Sequence, residues 1–134
     1  MRHGAELGIG RPSVIDARTL LRCAFAGAVL QLVLAVAAHF VPWVAAHALL
    51  FGRMMCSATA GYLYGMALGR GYAAGALGGA IAGGLCIVPA LALSVLAGDS
   101  PAAMVSVGTG IGILTGGIGG AFGQIAAILR KLGF

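Results

Sequence analysis

Carboxylates are almost missing from this chain: Glu6, Asp16 and Asp99 are all it has. None lies within an apolar stretch, so no two acids can share a buried proton, and no Ser/His/Asp set can be assembled. Enzymatic chemistry is therefore not expected. Charge of either sign is scarce. With 8% of its 134 residues charged, a soluble domain of this length could not coat its surface. The formal net charge of +5 would suit nucleic acid only if the basic residues formed a patch. They stand instead at the ends of apolar segments, and a nucleic-acid partner is not expected. Cysteine is limited to Cys23, Cys56 and Cys86, with no CxxC or other paired spacing, so these read as small packing residues and no metal site is expected. Gly108, Thr109 and Gly110 look like part of a nucleotide loop, but no lysine follows at the P-loop position. No cofactor is expected.

What the chain has in abundance is apolar surface and glycine. It is 60% hydrophobic, with a mean hydropathy of +1.05 and 24 glycines. A membrane helix needs about 20 consecutive apolar residues, and four such stretches are present, joined by very short connections. The pattern predicts an all-α fold, an integral membrane four-helix bundle made of two antiparallel helical hairpins. Helices are expected over about 14–38, 44–68, 72–97 and 101–129, in a single transmembrane domain (13–134) behind a mobile N-terminal tail (1–12). Ser13 is read as the first N-cap, with Asp16 in the first turn. His39 to Trp43 form the first turn, with Pro42 as breaker. Gly69, Arg70 and Gly71 form the second. Ser100 and Pro101 serve as N-cap and first residue of the last helix. Pro89, inside the third helix, predicts a kink and frees the carbonyl of Leu85.

The glycines recur at intervals of four. Gly108, Gly112, Gly116 and Gly120 share one helix face, as do Gly61, Gly65 and Gly69, and Gly75, Gly79 and Gly83. In water such runs would weaken a helix by about 1 kcal/mol per glycine. In a bilayer they let helix backbones approach closely, so glycine-zipper packing is expected at these ten positions.

Arg53 breaks the pattern. It lies well inside the second helix with no acid in any membrane segment, at a cost of roughly 2.5–3.5 kcal/mol on insertion scales. Folding the hairpins about their turns brings Gln31, Ile87 and Thr109 level with it. Arg53, Gln31 and Thr109 are the candidate polar intramembrane layer, lining either a polar constriction or nothing more than a structural contact, such as one from Arg53 to the carbonyl freed by Pro89. His39 and His47 flank the first turn but lack a third ligand.

Seven basic residues, Arg2, Arg11, Arg18, Arg22, Arg70, Arg130 and Lys131, fall on one side if the chain crosses four times. By the positive-inside rule both termini are then cytoplasmic, as in a bacterial inner-membrane protein. The expected function is that of a small polytopic membrane protein, a channel or transporter for a small solute or ion working as a homo-oligomer. The alternative is a structural or accessory subunit, without transport, that packs through its glycine faces onto itself or a larger membrane complex.

Overall fold

The computed structural model describes residues 15–133, and it is helical almost throughout, with no strand among the described residues. Four α-helices follow in order: α1 (Ala17–Phe40), α2 (Leu49–Leu68), α3 (Tyr72–Leu96) and α4 (Ala103–Lys131). A π-helical turn, Val44–Ala48, leads into α2. The tail expected over 1–12, with Ser13 and Val14, lies outside the described residues, as does Phe134.

Local chemistry sets each boundary. Asp16 is the N-cap of α1, not a first-turn residue. Its carboxylate accepts the Arg18 N–H at 3.2 Å and the Thr19 hydroxyl at 2.7 Å, so the helix begins at Ala17 and not near residue 14. The helix runs on to Phe40 and stops at Val41, whose extended backbone (φ −122°, ψ 97°) is what the residue before a proline prefers. The first turn is thus shorter than expected: Pro42 and Trp43 are already helical, since a first-turn proline has no intrahelical hydrogen bond to lose. α2 ends on Gly69 in the left-handed region (φ 57°, ψ 28°), its N–H donating to the Gly65 carbonyl. Gly69 therefore terminates a helix and does not extend the packing face on which the spacing had placed it. α3 is continuous through Pro89, which sits on the exposed side. α4 starts at Ala103, two residues later than expected: Ala102 is the N-cap, no side chain caps it, and the carbonyls of Pro101 and Ala102 accept the first N–H groups.

Small residues fill much of the interior, alongside Tyr64, Ile87 and Leu91, while many large apolar side chains face outward. Ala60, Ala82 and Ala90 are fully buried, as are most of the spaced glycines, whereas Phe25, Leu96 and Phe122 are 72%, 85% and 60% exposed. That inverts the rule for water-soluble proteins, which hide bulky apolar side chains. Three helices, α1, α3 and α4, are long and apolar enough to cross a membrane. α2 is not among them, because Arg53, Ser57, Thr59, Tyr62 and Tyr64 dilute its hydropathy. It packs on all three of the others.

Glycine is what lets the backbones meet. A Cβ built on Gly61 would fall on the carbonyl oxygen of Gly116, and one on Gly65 on that of Gly120. Across the other groove, a Cβ on Gly83 would lie 2.7 Å from the Cα of Gly116, and one on Gly79 would lie 2.8 Å from the Cα of Gly120. Gly75 faces both the Gly120 carbonyl and the side chain of Gln124. Gly112 faces the Gly83 carbonyl and Ile87. Gly108 differs, since the space of its absent side chain is filled by Leu91 and not by backbone.

Two predictions follow from these contacts. Gly61→Ala and Gly116→Ala should each destabilise the protein in detergent by about 1–3 kcal/mol, the usual cost of overpacking. Gly110→Ala, where an added Cβ meets nothing within 4 Å, should be neutral or stabilising; equal unfolding midpoints for all three variants would contradict the close approach. At the amino end of α1, the Thr19 hydroxyl, followed by the Arg18 and Thr19 amides, outweighs desolvation and holds the Asp16 carboxyl below the usual carboxylate range. Because the folded value is lowered, this cap is intact above the ordinary carboxylate pKa and is lost as pH falls through the lowered one. In an NMR titration the Arg18 amide should report that low midpoint, and Thr19→Val should move it upward.

Candidate functional site

Arg53 stands in a cluster of buried polar side chains between α1, α2 and α3. Arg53 is 8% exposed and Gln31 is fully buried. Gln31 reaches from α1 to α2, its Nε2 donating to the Arg53 carbonyl at 2.8 Å and to the Ser57 hydroxyl at 3.3 Å. The Arg53 guanidinium reaches from α2 to α3, Nη2 donating to the Ser94 hydroxyl at 2.7 Å. Ser94 lies on the last turns of α3, so the arginine side chain runs toward the amino end of its own helix, as side chains on helices do. It does not take up the carbonyl that Pro89 frees. Ser57 in turn contacts the Cys86 sulfur at 3.6 Å, and that thiol donates to the Gly83 carbonyl at 3.2 Å.

Two members of the expected layer, Arg53 and Gln31, are thus brought together. Thr109 is not joined to them: its hydroxyl donates to the Val105 carbonyl of its own helix at 2.7 Å. Ser57 and Ser94 occupy the role assigned to it. Both stand on buried faces of their helices, at one and about eleven helical turns' worth of chain from Arg53 respectively, and nothing in local spacing marks Ser94.

The layer is incompletely satisfied. Arg53 Nε and Gln31 Oε1 are buried without a hydrogen-bond partner. No carboxylate lies within 4.0 Å of Arg53 among the described residues; Asp99 Oδ2 instead lies 2.9 Å from His39 Nδ1, a contact that joins the end of α1 to the turn before α4. His47 lies apart from His39, stacked on Trp43 with ring centroids 5.5 Å apart. Beside Arg53 opens a cavity of about 510 Å³ between α2, α3 and α4. Leu50, Met54, Ile87, Leu91 and Met104 line it, and Asp99 and Ser100 stand at one end.

A second polar contact at the opposite end of the bundle has no counterpart in the expected site. Gln124, 1% exposed, donates through Nε2 to the Gly65 carbonyl at 2.7 Å and accepts the Gly71 N–H at 3.1 Å. Tyr64, fully buried, accepts the Asp16 N–H at 3.3 Å. The chain has only two glutamines, and that both fall in apolar helices was the available signal for Gln124. Tyr64 gave none, since its neighbours Tyr62 and Tyr72 are partly exposed.

Compared with protein-family models, with curated proteins and with solved structures, the chain matches none.

Gln31→Leu should destabilise the protein by about 1–3 kcal/mol, because it removes the buried donor shared by the Arg53 carbonyl and the Ser57 hydroxyl. Thr109→Val should stay within about 0.5 kcal/mol of the parent. Chemical unfolding in a mild detergent measures both, and the reverse ranking would remove Gln31 from the layer.

Proposed function

We propose that the chain is a non-enzymatic multi-pass membrane protein whose Arg53 cavity admits a small solute or ion, as a channel or transporter built from several copies. The observation that carries this reading is a buried arginine whose guanidinium has a hydroxyl partner and no carboxylate within 4.0 Å among the described residues, set against a cavity. An ionisable group held at such cost within a membrane protein is a functional-site candidate by default.

Four crossings, including one by α2, are part of the proposal, as are two antiparallel hairpins meshed by a glycine zipper in a single domain over 13–134. In support, His39 with Asp99 ties the α1–α2 turn to the α3–α4 turn. Lys131 donates to the Gly69 carbonyl, tying the end of α4 to the α2–α3 turn. Arg70, Arg130 and Lys131 then share the end of the bundle where α1 begins, next to Arg18 and Arg22. The other end has Asp99, His39 and His47. On the positive-inside rule, both termini are cytoplasmic, in a bacterial inner membrane.

An accessory subunit that docks through glycine would need its glycine faces free. Gly61, Gly65, Gly79, Gly83, Gly112, Gly116 and Gly120 are all buried within one chain, which favours solute handling over docking. Backbones in contact at Gly61 with Gly116 and at Gly65 with Gly120 narrow the space between α2 and α4, and for that reason a continuous path is assigned to an assembly of protomers.

Reconstituted in liposomes and offered a panel of inorganic and organic ions, the protein should move at least one of them faster than protein-free vesicles do. Arg53→Ala should slow that flux about tenfold or more, the equivalent of one charge-assisted hydrogen bond. Flux unchanged by Arg53→Ala, with only assembly impaired, would overturn the reading.

A further inference from the structure

The shape of the Arg53 cavity says more about its occupant than its charge alone. α2 and α4 touch through backbone where Gly61 meets Gly116, and Gly65 meets Gly120. Nearer their amino ends the facing residues are Leu50, Arg53 and Met54 on α2, with Met104, Val107 and Ile111 on α4, and between these the cavity opens. Leu50, Met104 and Val107 are also 64%, 51% and 57% exposed. They belong to the bulky apolar exterior described above, so the cavity opens sideways onto that surface. Arg53, a buried residue, also lines the cavity, with Nε unpartnered. Asp99 also borders the cavity, its Oδ2 2.9 Å from His39 Nδ1 and its carboxylate more than 4.0 Å from Arg53. A pocket with an apolar wall, a lateral mouth and a guanidinium that has no carboxylate within 4.0 Å among the described residues is complementary to a molecule built the same way.

We propose that this cavity binds an amphiphile carrying an oxyanion at the end of an apolar chain, the oxyanion on Arg53 and the chain along Leu50, Met104 and Val107. The inference names the ligand class of the site on which the proposed function rests. Guanidinium groups pair with carboxylate, sulfonate and phosphate oxygens through several N–H donors at once, and a cavity of about 510 Å³ lies within the ordinary range of small-molecule sites. Such a group can come from a single-chain amphiphile or from the headgroup of an anionic diacyl lipid.

Thermal unfolding of the full chain in nanodiscs of neutral lipid, titrated at neutral pH, separates the possibilities. Decane-1-sulfonate, dioleoyl phosphatidate, or both should raise the unfolding midpoint saturably, and which of them does so identifies the source. Methanesulfonate, decan-1-ol and decyltrimethylammonium should not. Arg53→Gln should abolish the shift and Arg53→Lys should retain part of it. Should Arg53→Gln fail to fold, Val107→Trp, which fills the mouth from an exposed position, should abolish the shift with Arg53 intact. An equal shift from decan-1-ol would reduce the cavity to an apolar groove. An equal shift from methanesulfonate would make it a small-anion site, and no saturable shift from either anionic amphiphile would overturn the proposal outright. Because binding is read without transport, a saturable shift in a protein that moves no solute would defeat the transport reading and leave this site standing.

Discussion

The contact on which the rest of the structure depends is between backbones. α4 lies against both α2 and α3 with nothing larger than hydrogen between the chains at Gly116 and Gly120, the positions where the grooves of all three helices converge. A glycine ridge of this kind is a poor choice for a helix in water, where each residue adds backbone entropy to be lost. Its advantage is dispersion and weak Cα–H to carbonyl contact over a long, flat surface. That advantage is greatest where apolar side chains outside gain little by burial, and the exterior here, with Phe25, Leu96 and Phe122 turned outward, is of that kind.

Close packing at one end has a consequence at the other. Helices pinned at Gly61 to Gly116 and Gly65 to Gly120 carry bulky residues on the same faces one to three turns away, so the space between α2 and α4 widens toward Arg53. The arginine is held there by neighbours on either side: Gln31 fixes its carbonyl and Ser94 its guanidinium. Neither neighbour supplies charge. The polar layer positions a cation without a carboxylate in reach, and this distinguishes it from the His39–Asp99 contact at the half-exposed end, where a carboxylate is engaged directly.

Much of this was legible in the sequence, for reasons that differ from element to element. Apolar length marked α1, α3 and α4 most clearly, and Pro42 with its preceding residue and Gly69 with Gly71 marked the two turns that bound α2. Spacing by four put Gly75, Gly79, Gly83, Gly112, Gly116 and Gly120 on shared faces, all of which are buried. Periodicity could not show that Gly69 adopts a left-handed backbone, since a glycine at the end of a run satisfies either role. Nor could it reveal Ser94, Gln124 or Tyr64, whose partners lie at least 41 residues away in the chain. Levelling residues by counting from turns brought Gln31 to Arg53 correctly. It misled at Thr109, because depth along a helix says nothing about the direction a side chain takes around it, and a threonine can always turn back to its own backbone.

The central claim is tested most directly by proton-detected solid-state NMR on the glycine-labelled protein in lipid bilayers. Cross-peaks between the α protons of Gly83 and Gly116, and between those of Gly79 and Gly120, are the expected result. Glycine α protons of α4 that correlate with lipid acyl chains, and show no such peaks, would mean that these backbones never meet.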